Sequence, residues 1–230
     1  MKKLIFVTGE KGGVMKSFLS KLTASVLLDD GKKTLCIEAD MRNPDFYNFA
    51  RKDTRAIEVA IKKKDGWFDL INEISKCEEE YIVVSTPAGV GENLENEYDL
   101  LFEACQQLNV EVHFIWCMSK VRDCIVLLKR FTDFIAGRDY KLTVAKSGFF
   151  GEESSFIRWN DSKTRKAVAK QGANEIYISE LYPSIVDTID DSMILFNRAL
   201  QSNDLELAQK MQFRIWYRDN AEKVRGVIYG

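Results

Sequence analysis

Apolar and polar positions along the chain fall into two alternating rhythms. Short unbroken apolar runs, rich in β-branched and aromatic residues, occur at 4–8 (LIFVT), 34–39 (TLCIEA), 81–86 (YIVVST), 111–118 (EVHFIWCM), 140–147 (YKLTVAKS) and 175–179 (EIYIS). Their length and composition predict strands buried on both faces. Between them, apolar residues recur three and four apart, the spacing that lines one face of a helix. Helices are predicted over 17–30, ending at Gly31, over 67–76 and 97–108, and over 121–137, closed by Gly137. A further helix over 163–171 has Asp161 and Ser162 as candidate caps and Gly172 as its stop, and two helical segments follow near 185–201 and 204–225.

Strands of this kind alternating with helices predict an α/β fold, a mostly parallel sheet in three layers with helices on both faces and a helical C-terminal end. No repeat, low-complexity tract or linker interrupts the pattern. The expectation is one domain over 1–230, with 185–225 forming its C-terminal helices, a length that buries an ample core.

Composition narrows the chemistry. Apolar residues make up 46% and charged residues 30%, as in a soluble globular protein, and the net charge of −2 signals no polyanion partner for the chain as a whole. The five cysteines (Cys36, Cys77, Cys105, Cys117, Cys124) are odd in number and lack CxxC spacing, which argues for reduced core thiols over a disulfide framework or zinc site. His113 is the only histidine and lies in an apolar run, so a histidine-based triad or metal cluster is not expected. The N-terminal apolar run, Leu4–Val7, is shorter than a secretory h-region, and no run approaches the ~18 residues of a membrane span. A cytoplasmic location is expected.

The stretch GEKGGVMKS (9–17) falls between the first strand and the first helix. A glycine-rich turn in that context converges backbone N–H groups on a phosphate, with Lys16 supplying charge for the β/γ oxygens and the Ser17 hydroxyl placed for Mg²⁺. Residues Glu10, Lys11, Gly12, Gly13, Val14, Met15, Lys16, Ser17 and Phe18 are the candidate nucleotide-binding set. Met15 occupies a position where phosphate loops ordinarily carry Gly. If that position needs a positive φ, Met costs on the order of 1–2 kcal/mol there.

KGGVMKS fits the deviant Walker A pattern KGGxxK[ST] and so resembles the ParA/MinD superfamily of P-loop ATPases. The resemblance implies a P-loop NTPase fold, ATP and Mg²⁺ as cofactors, and a homodimer formed on ATP binding, with Lys11 reaching the partner's nucleotide. IEADMRNPD (37–45) looks like the family's acidic segment, with Glu38 and Asp40 in the acidic places; the resemblance makes Asp40 a catalytic or magnesium-supporting residue beside Lys11 and Ser17. YIVVSTPAGVG (81–91) looks like its Walker B strand, with Thr86, Pro87 and Gly89 in agreement and Ser85 where an Asp belongs. A serine supplies no carboxylate charge for a magnesium-bound water, so binding with weakened hydrolysis is expected.

Residues 142–179 further resemble plasmid stability and conjugative-transfer ParA-like proteins of the StbB/TraL type, with Ser147 or Gly148 where an Asn near the base is expected. This implies a nucleotide-dependent dimer in plasmid partition, stability or conjugative DNA transfer, with a plasmid or conjugation protein as partner. The alternative is a pseudo-ATPase scaffold acting through protein partners. Lys210, Arg214, Arg218 and Arg225 fall roughly on one helix face and, with 158–170, offer a basic surface for non-specific DNA binding, whereas solvent contact alone would also explain them. Phe213, Trp216, Tyr217 and Val224 are expected to pack onto the domain, and the short, weakly amphipathic 220–230 segment argues against a membrane anchor.

Overall fold

The computed structural model describes residues 1–9, 11–63, 65–89 and 95–230. In chain order the elements are β1 (Lys2–Thr8), α1 (Lys16–Asp29), β2 (Thr34–Glu38), α2 (Asp45–Ala50), β3 (Ala56–Glu58), α3 (Gly66–Lys76), β4 (Tyr81–Ser85), α4 (Glu95–Gln107) and β5 (Val110–Met118). They continue with α5 (Arg122–Phe134), β6 (Lys141–Ser147), α6 (Ile157–Asn160), α7 (Lys163–Lys170), β7 (Asn174–Ile178), α8 (Pro183–Ser192), α9 (Phe196–Ala199) and α10 (Leu207–Tyr229).

All seven strands join one sheet in the order β3-β2-β4-β1-β5-β6-β7, and every neighbouring pair is parallel. The apolar runs of β1, β2, β4 and β5 are buried on both faces because helices cover both sides. The sheet extends from β1 in both directions, which makes the C-terminal end of β1 the switch point at which α/β sheets bind ligands. Beneath it, Phe114 stacks on Phe6 at 5.4 Å between ring centroids and meets Phe131 edge-on at 5.0 Å.

The six predicted strands and the major helices are present, with ends shifted by a few residues. Ser162, not Asp161, caps α7, its Oγ accepting the Arg165 N–H at 3.0 Å. The predicted segment 185–201 is two helices, broken where Met193 turns to a φ of 47°. Three elements escaped the sequence pattern, the three-residue edge strand β3, the six-residue α2 and the four-residue α6; all are too short to show a period.

α10 docks on β7 and α1 by its aromatic face. Phe213, Trp216, Tyr217 and Val224 are buried, as expected from the sequence. Trp216 Nε1 donates to the Ser179 carbonyl at 2.8 Å, and Asn220, fully buried, accepts the Ser179 N–H at 3.0 Å. Arg225 lies against Asp30 with Nη2–Oδ1 at 2.9 Å and pairs with Glu222 as well, so it is not part of an open basic face. All five cysteines are buried and unpaired with each other. Among the described residues no helix is long and apolar enough to cross a membrane.

Candidate functional site

The glycine-rich loop leaves the buried end of β1 and enters α1 directly. Gly9 allows it to start there: a Cβ would stand 3.1 Å from the Cys117 carbonyl oxygen of neighbouring β5. Met15 is the residue preceding α1 and has φ 70° and ψ 27°, a left-handed conformation that glycine adopts at no steric cost. The sequence expectation about this position therefore rests on a real geometric requirement. Its side chain makes no cap hydrogen bond, which leaves the first N–H groups of a 14-residue helix without a side-chain cap.

Lys16 is buried, and its Nζ donates to the Lys11 carbonyl at 2.9 Å, closing the loop on itself. On the outer side, a Cβ added at Gly12 or Gly13 would meet nothing within 4 Å, so the loop borders open space. An ammonium inside the ring, exposed glycine backbone and a helix N-terminus together fit a phosphate group. Ser17 follows at the first turn of α1, half-buried. Val14 is buried and anchors the loop to the core. Phe18 turns the other way, its ring 5.0 Å from that of Phe196 and 5.7 Å from that of Trp216, so only its backbone belongs to the loop. Glu10 lies outside the described residues.

Lys11 extends from the loop to α5, where its Nζ meets Asp123 Oδ2 at 2.7 Å. Both groups are well exposed, and mutual attraction raises the Lys11 pKa and lowers that of Asp123. Asp123 had no sequence signal pointing to it; only the fold carries the start of α5 to the loop.

The acidic segment after β2 divides its two carboxyl groups between different tasks. Glu38 is fully buried, and its oxygens accept the backbone N–H groups of Asp40 at 2.9 Å and Phe46 at 3.0 Å. It clamps the loop 39–46 and the start of α2 onto the sheet. Burial pushes its carboxyl up to about 8, the two N–H bonds opposing the shift. Asp40 is half-buried at the rim, accepting the Arg42 N–H at 3.2 Å. Across the sheet, Glu38 is in register with Ser85, which is 1% exposed. The Walker B place is thus a buried serine beside a buried carboxyl group. Thr86, next in line, donates to Thr8 Oγ1 at 3.0 Å and so ties β4 to the loop's root.

Two buried lysines near the same sheet edge were missed by the sequence reading. Lys21 on α1 holds Asp190 at 3.0 Å and Asp45 at 3.3 Å while lying 3.8 Å above the Phe49 ring. Lys146, at the end of β6, binds Glu153 at 2.5 Å and Glu175 at 2.6 Å. A lysine in an otherwise buried apolar face was the available signal. The Ser147 hydroxyl caps the turn that follows by accepting the Phe149 N–H, and a Cβ at Gly148 would stand 2.4 Å from the Glu180 backbone nitrogen. Neither residue reproduces an Asn side chain aimed at a base. A cavity of about 590 Å³ lies at the opposite end of the sheet near Phe102, Asn109, Arg138 and Tyr140, away from the loop.

No family model matches the chain. Across 99% of both chains it is 26% identical to Protein MobD of Acidithiobacillus ferrooxidans. Among solved structures, a plasmid partition protein of Borrelia burgdorferi B31 bound to AMPPNP superposes with a TM-score of 0.56 at 16% identity, covering 96% of this chain and 99% of that one. The MinD cell division protein of Aquifex aeolicus gives a TM-score of 0.54 at 17% identity, covering 96% and 98%. The seven-stranded parallel sheet with its glycine loop after β1 is the fold of the ParA/MinD-type P-loop ATPases, and this chain has that fold.

Proposed function

We propose that the protein binds ATP with Mg²⁺ at the 9–17 loop and dimerises on it, acting in plasmid partition or conjugative DNA transfer with slow turnover. The observation that carries this reading is the loop itself, in which Met15 holds a left-handed turn and Lys16 is folded inside. Gly12, Gly13 and the first amides of α1 would hold the phosphates, and Lys16 would offset their charge. Ser17 and Asp40 would hold Mg²⁺, which supplies charge neutralisation for phosphoryl transfer when bound. Ser85 adds no carboxylate, so this chain contributes less to that neutralisation than an Asp would. Lys11 would exchange Asp123 for the partner's nucleotide, a low-cost exchange because the ion pair is exposed.

The plasmid role draws on the likeness to the Borrelia partition protein and on the sequence resemblance in 142–179. Ser85 also supports a second reading, a pseudo-ATPase scaffold that binds nucleotide and works through protein partners. Calorimetric titration of ATP against wild type and Lys16→Ala tests the site; equal heats from the two would refute it. Sedimentation velocity with a non-hydrolysable analogue tests the switch. Wild type should dimerise and Lys11→Ala should bind nucleotide but stay monomeric. A wild type that remains monomeric when saturated supports the scaffold instead.

A further inference from the structure

α10 is packed on one side only. Its inner face is fixed by the buried rings of Phe213, Trp216 and Tyr217 and by the hydrogen bonds of Trp216 and Asn220 to Ser179. The helix therefore cannot roll, and what it turns outward is set by the fold. The outward face carries Leu207, Met211 and Ile215, which are 77%, 59% and 49% exposed. Their spacing of four residues makes a continuous apolar ribbon about 12 Å long, at 1.5 Å per residue.

A second ribbon runs parallel to it. Lys210, Arg214 and Arg218 each follow a member of the first by three residues, so on a helix they lie beside it along one flank. Arg214 is exposed and Lys210 half-exposed. Arg218 contacts Asp219 at 2.9 Å, but the two side chains are 70% and 51% exposed, so the contact is easily exchanged. The other flank carries the uncharged Ala208 and Gln212 and, past Ile215, Asp219, the carboxylate in contact with Arg218. This local basic edge belongs to a chain whose net charge is −2.

We propose that this face docks an acidic amphipathic helix of a protein partner, its apolar ridge on Leu207, Met211 and Ile215 and its carboxylates along Lys210, Arg214 and Arg218. Helix-on-helix recognition uses apolar anchors at three- and four-residue spacing, which is what the first ribbon offers, and Met211 is adaptable to the partner's shape. The three basic side chains lie along one flank, and that sets the direction in which the partner lies. Nucleic acid has no use for the apolar ribbon, and with Arg225 committed to Asp30 the basic row is short. A bilayer is disfavoured because interfacial binding scales with buried apolar area, and this face offers three apolar side chains while Phe213, Trp216 and Tyr217 all face inward.

The test is fluorescence anisotropy with a labelled synthetic peptide helix carrying leucines at three- and four-residue spacing with glutamates beside them. A lysine-for-glutamate version serves as its control. The acidic peptide should bind wild type, and Met211→Asp with Ile215→Asp should weaken it about tenfold or more. Arg214→Glu with Arg218→Glu should weaken the acidic peptide and favour the lysine version. All four positions are exposed, and matched thermal melts would show the variants folded. Absence of acidic-peptide binding, or binding unaltered by both double variants, overturns the proposal. So does retention on phosphatidylglycerol vesicles or duplex DNA that depends on these residues while the peptide does not bind.

Discussion

Replacing His113 by Gln should abolish an acid sensitivity that the fold builds into the wild type. His113 lies in the middle of β5, paired with Ile5 on one side and Lys141 on the other, and is 1% exposed. Its Nε2 is 2.8 Å from Thr143 Oγ1. Burial lowers its pKa from 6.5 to about 4, with Lys141 and Lys3 adding to the shift and Glu111 opposing it. The unfolded chain therefore binds a proton at higher pH than the folded one, and stability falls as pH drops through that window. At about 1.4 kcal/mol per pKa unit, the loss is about 3 kcal/mol between pH 6.5 and 4. Gln keeps a neutral partner for Thr143 and cannot charge. Carboxylates that titrate over the same range do so in both proteins and cancel in the difference. Urea unfolding followed by tryptophan fluorescence at several pH values gives that difference directly. The stability gap should move by about 3 kcal/mol in favour of Gln on acidification. Parallel curves would refute the reasoning, because they would mean that His113 is protonated without cost in the folded state.

Three further outcomes follow from the site. Above pH 8, where Glu38 is ionised and both its oxygens accept, Glu38→Gln replaces one acceptor with a donor and leaves the Asp40 or Phe46 N–H unpaired; urea unfolding there should show a loss of about 1–3 kcal/mol, and hydrogen exchange should rise at residues 40 and 46. Gly148→Ala places a methyl group 2.4 Å from the Glu180 nitrogen and 2.8 Å from the Ser179 carbonyl carbon, so it should destabilise by about 1–3 kcal/mol, measured as a lowered midpoint in urea. Met15→Gly relieves a left-handed side chain and, combined with Ser85→Asp, should raise ATP turnover about tenfold in a phosphate-release assay.

The sequence by itself determined the layers and the position of the glycine-rich loop. Doubly buried strands need continuous apolar runs, so β1, β2, β4 and β5 announce themselves locally, and helix stops at Gly31, Gly137 and Gly172 do the same, each having a positive φ. The KGGVMKS frame and the requirement at Met15 were equally legible, since both depend on neighbouring residues in one turn. Strand order, by contrast, brings residues far apart in sequence side by side, and no local pattern encodes it. Tertiary structure alone placed Asp123 on Lys11, Ser85 in register with Glu38, and Asp190 with Asp45 on Lys21. It also divided the basic residues of α10, turning Arg225 in against Asp30 and leaving Arg214 and Arg218 outside. Charges of this kind have identical propensities in either role. Their function is decided by which surface the packing of Trp216 and Asn220 turns toward solvent.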